Sequence, residues 1–351
     1  MDRYIGLDAH SASCTVAVIG PSGRRISHQV LETNGRSLVS FVKTVPGTRH
    51  LCLEEGNHAA WLHELLEPHV AEIVVAGTGR QLSRGPKSDR IDAFALAEQL
   101  RLGGIETRVY KGVGEFALLG ELSRAFRVLK QDTTRVQNRI KGLFRSRGVP
   151  TDGKQIYSLA HRDEWLPRLP AKARPRAATL FMELDALREV RKQAQRNMVR
   201  EAGRHRVFHV LKTCPGLGDI RVAQMLPVVV TPYRFRSKRS FWAYIGLAVV
   251  MRSSSDWLQA PDGSWHRAKT TQTRGLNRNF NRVLKEIFKG AATTVIQRGD
   301  DDPLYHHYRA LLDGGTKPTL AKLTIARQIA SITLSLWRSG EEYDPRKLKQ
   351  E

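Results

Sequence analysis

Only three cysteines, Cys14, Cys52 and Cys214, are spread through 351 residues. That excludes a disulfide framework, and their spacing offers no zinc motif. No apolar run approaches the ~20 residues needed to cross a bilayer, and the N-terminal stretch lacks a secretory pattern. Internal repeats and low-complexity tracts are also missing. Negative charge is scarce: 34 Asp and Glu face 57 Lys and Arg, for a net charge of +23. What is present suffices to fold, because 41% of the residues are hydrophobic, too many for wholesale disorder. The length fits two or three domains. These features predict a soluble protein of a reducing, cytoplasmic compartment, with no membrane partner. The sequence pI of about 10.4 points to a polyanion, most simply nucleic acid.

The excess charge is unevenly placed. Residues 1–110 hold 12 basic and 12 acidic side chains, residues 111–212 hold 23 and 10, and residues 213–351 hold 22 and 12. A neutral first part is followed by two basic ones. The later parts are suited to gripping phosphates, which supplies affinity without sequence information. The first part keeps its carboxylates for some other task.

Residues 1–110 alternate strand and helix signals. Tyr4–Asp8, Cys14–Ile19 and Ile26–Leu31 read as strands, the first ending in an acid. Asn34 caps a helix through Leu38, Phe41 and Val42. His50–Leu53 is a strand running into Glu54-Glu55-Gly56, followed by a helix through Trp61, Leu65 and Leu66. Glu72–Ala76 is another strand, and Ser88 or Asp89 opens a helix through Ile91, Leu96 and Leu100. Three strands, then helix, strand, helix, strand and helix, make a layered α/β domain.

In residues 111–206 the period changes. Leu119, Leu122, Phe126, Leu129, Thr133, Val136, Ile140 and Leu143 recur every three or four residues, the seam of a coiled coil. A break from Pro150 to Pro175 separates this helix from a second through Leu180, Leu184, Leu187, Ala194 and Met198. The pair predicts a helical hairpin or a dimerising arm. Arg124, Arg127, Arg135 and Arg139 lie off the seam with few acids at i,i+4, and are candidate nucleic-acid contacts. Residues 207–351 read as a small, mainly helical domain. In it Cys214-Pro215-Gly216-Leu217-Gly218 interrupts a helix, a turn able to offer N–H groups to a phosphate or simply to join two helices. Helices are expected over Phe280–Val295 and Leu320–Trp337.

Four acids stand out by position: Asp8 and Glu54 at strand ends, and Asp89 and Asp92 on one face at a helix start. Glu55 rivals Glu54, but if Leu51 and Leu53 face a core, alternation turns Cys52 and Glu54 the other way. Carboxylates gathered at one sheet edge repel one another unless a cation joins them. Mg²⁺, or Mn²⁺ in its place, favours such oxygen ligands and keeps positions open for phosphate. His10 and His58 neighbour Asp8 and Glu54 as candidate donors to them.

In this strand order the four acids resemble the Asp-Glu-Asp-Asp pattern of ribonuclease H/RuvC-like nucleases. More of the chain is similar to the insertion-sequence 110 family of transposases, whose relatives include Piv-type DNA invertases. The likeness rests on Tyr4-Ile5-Gly6-Leu7-Asp8-Ala9-His10, Leu53-Glu54-Glu55-Gly56 and Lys87-Ser88-Asp89-Arg90-Ile91-Asp92-Ala93. It continues in Cys214-Pro215-Gly216-Leu217-Gly218 and in Tyr244-Ile245-Gly246-Leu247 leading to Ser253-Ser254. The resemblance implies a RuvC-like domain over 1–110, a coiled-coil arm over 111–206 and a C-terminal transposase domain over 207–351. It implies Asp8, Glu54, Asp89 and Asp92 as Mg²⁺ ligands, and a recombinase acting on donor and target DNA under a structured bridge RNA. Dimers or tetramers are implied, with one subunit's metal beside another's serine.

Counting from Gly246-Leu247 puts Ser254 at the family's nucleophile. Val249 stands where the family has proline and Ser255 where it has glycine, so Ser253, Ser254 and Ser255 all stay candidates. Arg252, Arg274 and Arg278 are expected phosphate contacts. Two alternatives share these residues: an invertase of the same family working without RNA, and a RuvC-like structure-specific nuclease using metal-activated water.

Overall fold

The computed structural model describes residues 1–77, 88–105, 108–109, 114–251, 257–267, 273–299 and 301–348, with the backbone alone at 251, 258, 267, 273 and 274. It divides into two compact units, Met1–Glu115 and Phe116–Glu351.

The first unit is a six-stranded sheet with helices. In chain order it runs β1 (Asp2–Ala9), β2 (Ser13–Ile19), β3 (Arg25–Glu32), α1 (Gly35–Thr44), β4 (Thr48–Glu54), α2 (Ala59–Leu66), β5 (Glu72–Ala76), α3 (Asp89–Arg101) and β6 (Arg108–Val109). The sheet order is β3-β2-β1-β4-β5-β6. β1, β2 and β3 form an antiparallel meander, while β4 and β5 run parallel to β1. Every strand and helix expected from the sequence is present; the two-residue β6 was not expected, because it is too short to carry a period.

Alternation sorts the side chains between two layers. Ile5, Leu7, Leu51 and Leu53 pack with Leu38, Val42, Leu62 and Leu66 from α1 and α2. Cys52, Val74 and Ala76 face the other way, against Leu96 and Leu100 of α3. Asn34 caps α1 as expected, its side chain accepting from the Ser37 N–H at 2.8 Å. Ser88, not Asp89, caps α3, its hydroxyl accepting from the Ile91 N–H at 3.3 Å.

The second unit begins with two 29-residue helices, α4 (Ala117–Arg145) and α6 (Arg174–Ala202), which pack on each other as a hairpin within the chain. Phe126, Thr133, Val136, Ile140 and Leu143 of the expected seam are buried; Leu122 and Leu129 are half-exposed. The proline-rich break folds into short turns around α5 (Arg162–Trp165). Trp165 stacks edge-on against Phe144, which also meets Phe181, closing a core of its own at the hairpin's far end. Burying each such aromatic side chain contributes roughly 2–3 kcal/mol.

The near end of the hairpin belongs to a larger core. Leu119, Phe126, Met198 and Ala202 join α7 (Arg206–Lys212), α8 (Asp219–Val229), α9 (Lys238–Tyr244), α10 (Arg282–Arg298), α11 (Pro303–Asp313) and α12 (Pro318–Ser339). Two small two-stranded sheets lie between α9 and α10. β7 (Val249–Met251) pairs with β10 (Thr273–Leu276), and β8 (Trp257–Gln259) pairs with β9 (Trp265–Arg267). Neither was expected, since strands of three or four residues carry no readable alternation. In the turn between α7 and α8, Gly216 has φ +76°, and a Cβ there would collide with the Ala291 carbonyl of α10. This glycine therefore serves close packing of α10 on the turn. No helix among the described residues is long and apolar enough to cross a membrane.

Candidate metal centre

The site begins with a close approach between α3 and β1. Gly6 shares the strand face of Asp8, two residues on. A Cβ at Gly6 would collide with the Ala93 carbonyl and lie 2.7 Å from the Ala97 nitrogen. Only glycine lets the helix backbone come this near. Ala93 and Ala97 are one helical turn apart, and Asp89 is one turn earlier on the same ridge. Four helical residues rise about 6 Å, nearly the length of two strand residues. So once Gly6 seats Ala93, Asp89 is carried to the level of Asp8.

His10 completes the group. Its backbone N–H donates to the Ser13 carbonyl, and its own carbonyl accepts from the Thr33 hydroxyl at 2.8 Å. The His10 backbone is thereby held at the β1–β2 turn. Nε2 lies 3.3 Å from an Asp8 carboxylate oxygen and 3.6 Å from one of Asp89. One ligand atom each from Asp8, His10 and Asp89 falls within 4.8 Å of the others. Asp8 is the inner member, its side chain 14% exposed against 57% for Asp89.

The electrostatics are those of an acid cluster that His10 offsets only in part. Burial pushes the Asp8 carboxyl above the ordinary aspartate range, and Asp89 and Asp92 push it the same way. His10 opposes them with charge and a hydrogen bond. Asp92 is half-exposed on the first turn of α3. Glu54 is the last residue of β4 and exposed. The parallel register pairs Leu7 with Leu53, so Glu54 follows on the strand next to Asp8. Neither Glu54 nor Asp92 belongs to the tight three-residue group.

Two carboxylates and one imidazole suit a divalent cation with oxygen preference, with the nitrogen ligand better matched to Mn²⁺ than to Mg²⁺. A bound cation would offset the repulsion that burial intensifies at Asp8. The sequence had offered His10 only as a neighbour of Asp8. The available signal was the Asp-x-His spacing at a strand end, which puts both side chains on one face.

The basic candidates are scattered through the second unit. Arg124 and Arg135 are exposed on α4, and each pairs with an acid three residues earlier, Glu121 and Asp132. Arg139 reaches Glu183 across the hairpin at 3.5 Å. The scarcity of i,i+4 acids thus did not leave these three unpaired, because their partners sit at i−3 or on the other helix. Arg127 meets no carboxylate among the described residues and lines a cleft with α6, α8 and α10. Arg278 is exposed just before α10. Arg252 and Ser253, Ser254 and Ser255 lie outside the described residues, as does the side chain of Arg274.

Comparison with known proteins agrees with the order of these parts. Residues 5–147 match the DEDD transposase model of the IS110 type, and residues 208–308 match the model of the transposase IS116/IS110/IS902 family. A protein of Sinorhizobium fredii (strain NBRC 101917 / NGR234), named "Putative transposase y4pF/y4sB", is 24% identical over 314 residues. That alignment covers 88% of this chain and 77% of the relative. The first match contains Asp8, His10 and Asp89, and the chain belongs to the IS110 family of transposases.

Proposed function

We propose that the protein cuts and rejoins DNA strands at a composite site made of the carboxylate cluster and a serine. The observation that carries this reading is the convergence of Asp8, His10 and Asp89, with Asp92 one turn along the same helix. Asp8 and Asp89 would hold Mg²⁺ or Mn²⁺, with His10 beside them and Asp92 and Glu54 completing the set. When bound, the ion stabilises charge on the phosphate oxygens and on the leaving oxygen. Ser254 is the nucleophile of choice by its distance from Gly246-Leu247. Its Oγ bonds to phosphorus while the bond to one sugar oxygen breaks, and the hydroxyl proton passes in net to that oxygen. The serine–phosphate linkage retains the bond for rejoining, so strand exchange needs no nucleotide hydrolysis.

The three-part division, with an arm over 111–206 and a C-terminal domain over 207–351, assigns grip to the basic parts and chemistry to the neutral one. By family resemblance, a structured bridge RNA selects donor and target DNA by base pairing, and subunits pair as dimers or tetramers. The protein then reads backbone and shape. The test is a denaturing gel of protein, co-purifying RNA, target DNA and Mg²⁺. A protein–DNA adduct formed by the wild type and lost in Ser254→Ala and in Asp8→Asn supports the reading. Cleavage that persists without an adduct in Ser253→Ala, Ser254→Ala and Ser255→Ala refutes the serine step and leaves a metal-dependent nuclease.

A further inference from the structure

We propose that the cleft between α4, α6, α8 and α10 binds the phosphodiester backbone of a polynucleotide. This rests on the transposase reading for the existence of such a partner, and adds where the chain is gripped. The cleft measures about 1570 Å³, beyond the ~300–1,000 Å³ of a small-molecule pocket. Seven Lys and Arg side chains line it against two carboxylates. Both carboxylates are already engaged: Glu286 with Lys130 at 2.6 Å, and Asp219 with Lys212 at 2.7 Å.

Of the arginines, Arg135 pairs with Asp132 on its own helix, but the others are not so engaged. Among the described residues Arg196 and Arg200 on α6 reach only the neutral amides of Gln193 and Asn197. Arg127 on α4 and Arg282 on α10 meet no carboxylate among the described residues. Four guanidinium groups from three helices therefore face one space without counter-charge. Deeper in, half-buried Arg221 donates through one nitrogen to the Gly216 carbonyl at 2.6 Å and to the Thr294 hydroxyl at 3.0 Å. Its remaining nitrogens lie against Gly290, where a Cβ would come within 3.2 Å. Gly218 opens α8 at the cleft wall with no side-chain cap, leaving the first N–H groups of an 11-residue helix for an anion.

The preponderance of arginine favours phosphate, whose oxygens match the guanidinium fork. A chain of phosphates fits better than one. The basic surface continues over α10 into a second hollow of about 420 Å³, which shares Arg282 and adds Lys285, Lys289 and Lys322. From residue 282 to residue 289 the helix rises roughly 10 Å, more than a single phosphate can satisfy.

The test measures binding by fluorescence anisotropy over a salt series, using the full chain, a labelled DNA duplex and a labelled RNA hairpin. An Arg196→Ala/Arg200→Ala/Arg282→Ala variant is compared with Arg24→Ala/Arg36→Ala/Lys43→Ala, which removes the same charge from the first unit. The cleft variant is expected to bind at least about tenfold more weakly and to lose about 2–3 from the slope of log affinity against log salt. The control variant is expected to stay within twofold of the wild type. Glu286→Gln, which frees Lys130, is expected to tighten binding. Loss in one arm alone supports the cleft and names DNA or RNA as its ligand. A cleft variant that matches a binding-competent wild type overturns this proposal while leaving the transposase reading intact. So does displacement of the label by polyglutamate as readily as by unlabelled nucleic acid. A wild type that binds neither probe overturns both.

Discussion

Residues 1–115 contain 13 basic and 13 acidic side chains, so the whole net charge of +23 resides in residues 116–351. In the first unit a few carboxylates are forced together at the end of a central strand, with burial raising the cost of ionising Asp8. In the second, arginines are left without counter-charge along helices. Each arrangement is unfavourable alone and favourable with a partner of opposite sign, a cation for one and a phosphate chain for the other. On the proposed function the first unit does the chemistry and the second the gripping, and substitutions can test whether the two are separable.

The largest effect is expected at Asp8. Asp8→Asn keeps the shape but removes the inner charged ligand, and strand cutting should fall by about 10³-fold or more. Nucleic-acid binding by the second unit should be unchanged within twofold. Parallel cleavage and anisotropy assays check this, and a matching loss of binding would break the division.

Next comes Gly6→Ala. The added methyl meets the helix backbone and not a movable side chain, so α3 must lift from β1. Overpacking of this kind costs about 1–3 kcal/mol. Thermal unfolding of the first unit should shift down, and cleavage should fall because Asp89 moves with the helix. Cleavage preserved alongside the lowered midpoint would show that the helix register does not set the site.

A smaller effect is expected at the hairpin's far end. Arg162 grips Asp185 with two hydrogen bonds of 2.5 Å and stacks over Phe181 at 4.8 Å. The Asp185 carboxyl is held below its ordinary range, first by the Arg162 hydrogen bond and then by the charges of Arg162 and Arg188. A depressed carboxyl stabilises the fold fully above its unfolded pKa of about 4, and less as pH falls through the folded value. Arg162→Ala should therefore cost about 1 kcal/mol or less at pH 7. The gap from wild type in thermal midpoint should narrow as pH drops toward 3, leaving the part due to stacking. A gap independent of pH would assign the whole effect to Phe181.

Most of the first unit was legible because its strands are short apolar or β-branched runs bounded by turns, and two of its helices carry side-chain caps, Asn34 and Ser88. The four acids could be picked out by where elements end. Their unequal exposure could not, since Asp8 is largely covered and Glu54 exposed only once the strands and α3 are packed, which no local pattern encodes. His10 needed the β1–β2 turn to bring its ring between two aspartates. The second unit was legible as helices but not as a surface. Arg127, Arg196, Arg200 and Arg282 are far apart in sequence, and only helix packing gathers them. The short strands β7 to β10 left no period to read.

The most direct measurement is Mn²⁺ binding to the full chain, followed by loss of the free-ion signal in electron paramagnetic resonance. Wild type is compared with Asp8→Asn and with Glu64→Gln, an exposed acid on α2. The account predicts that wild type and Glu64→Gln take up the ion equally and that Asp8→Asn loses that uptake, while all three bind nucleic acid alike. Equal Mn²⁺ uptake by wild type and Asp8→Asn would contradict it.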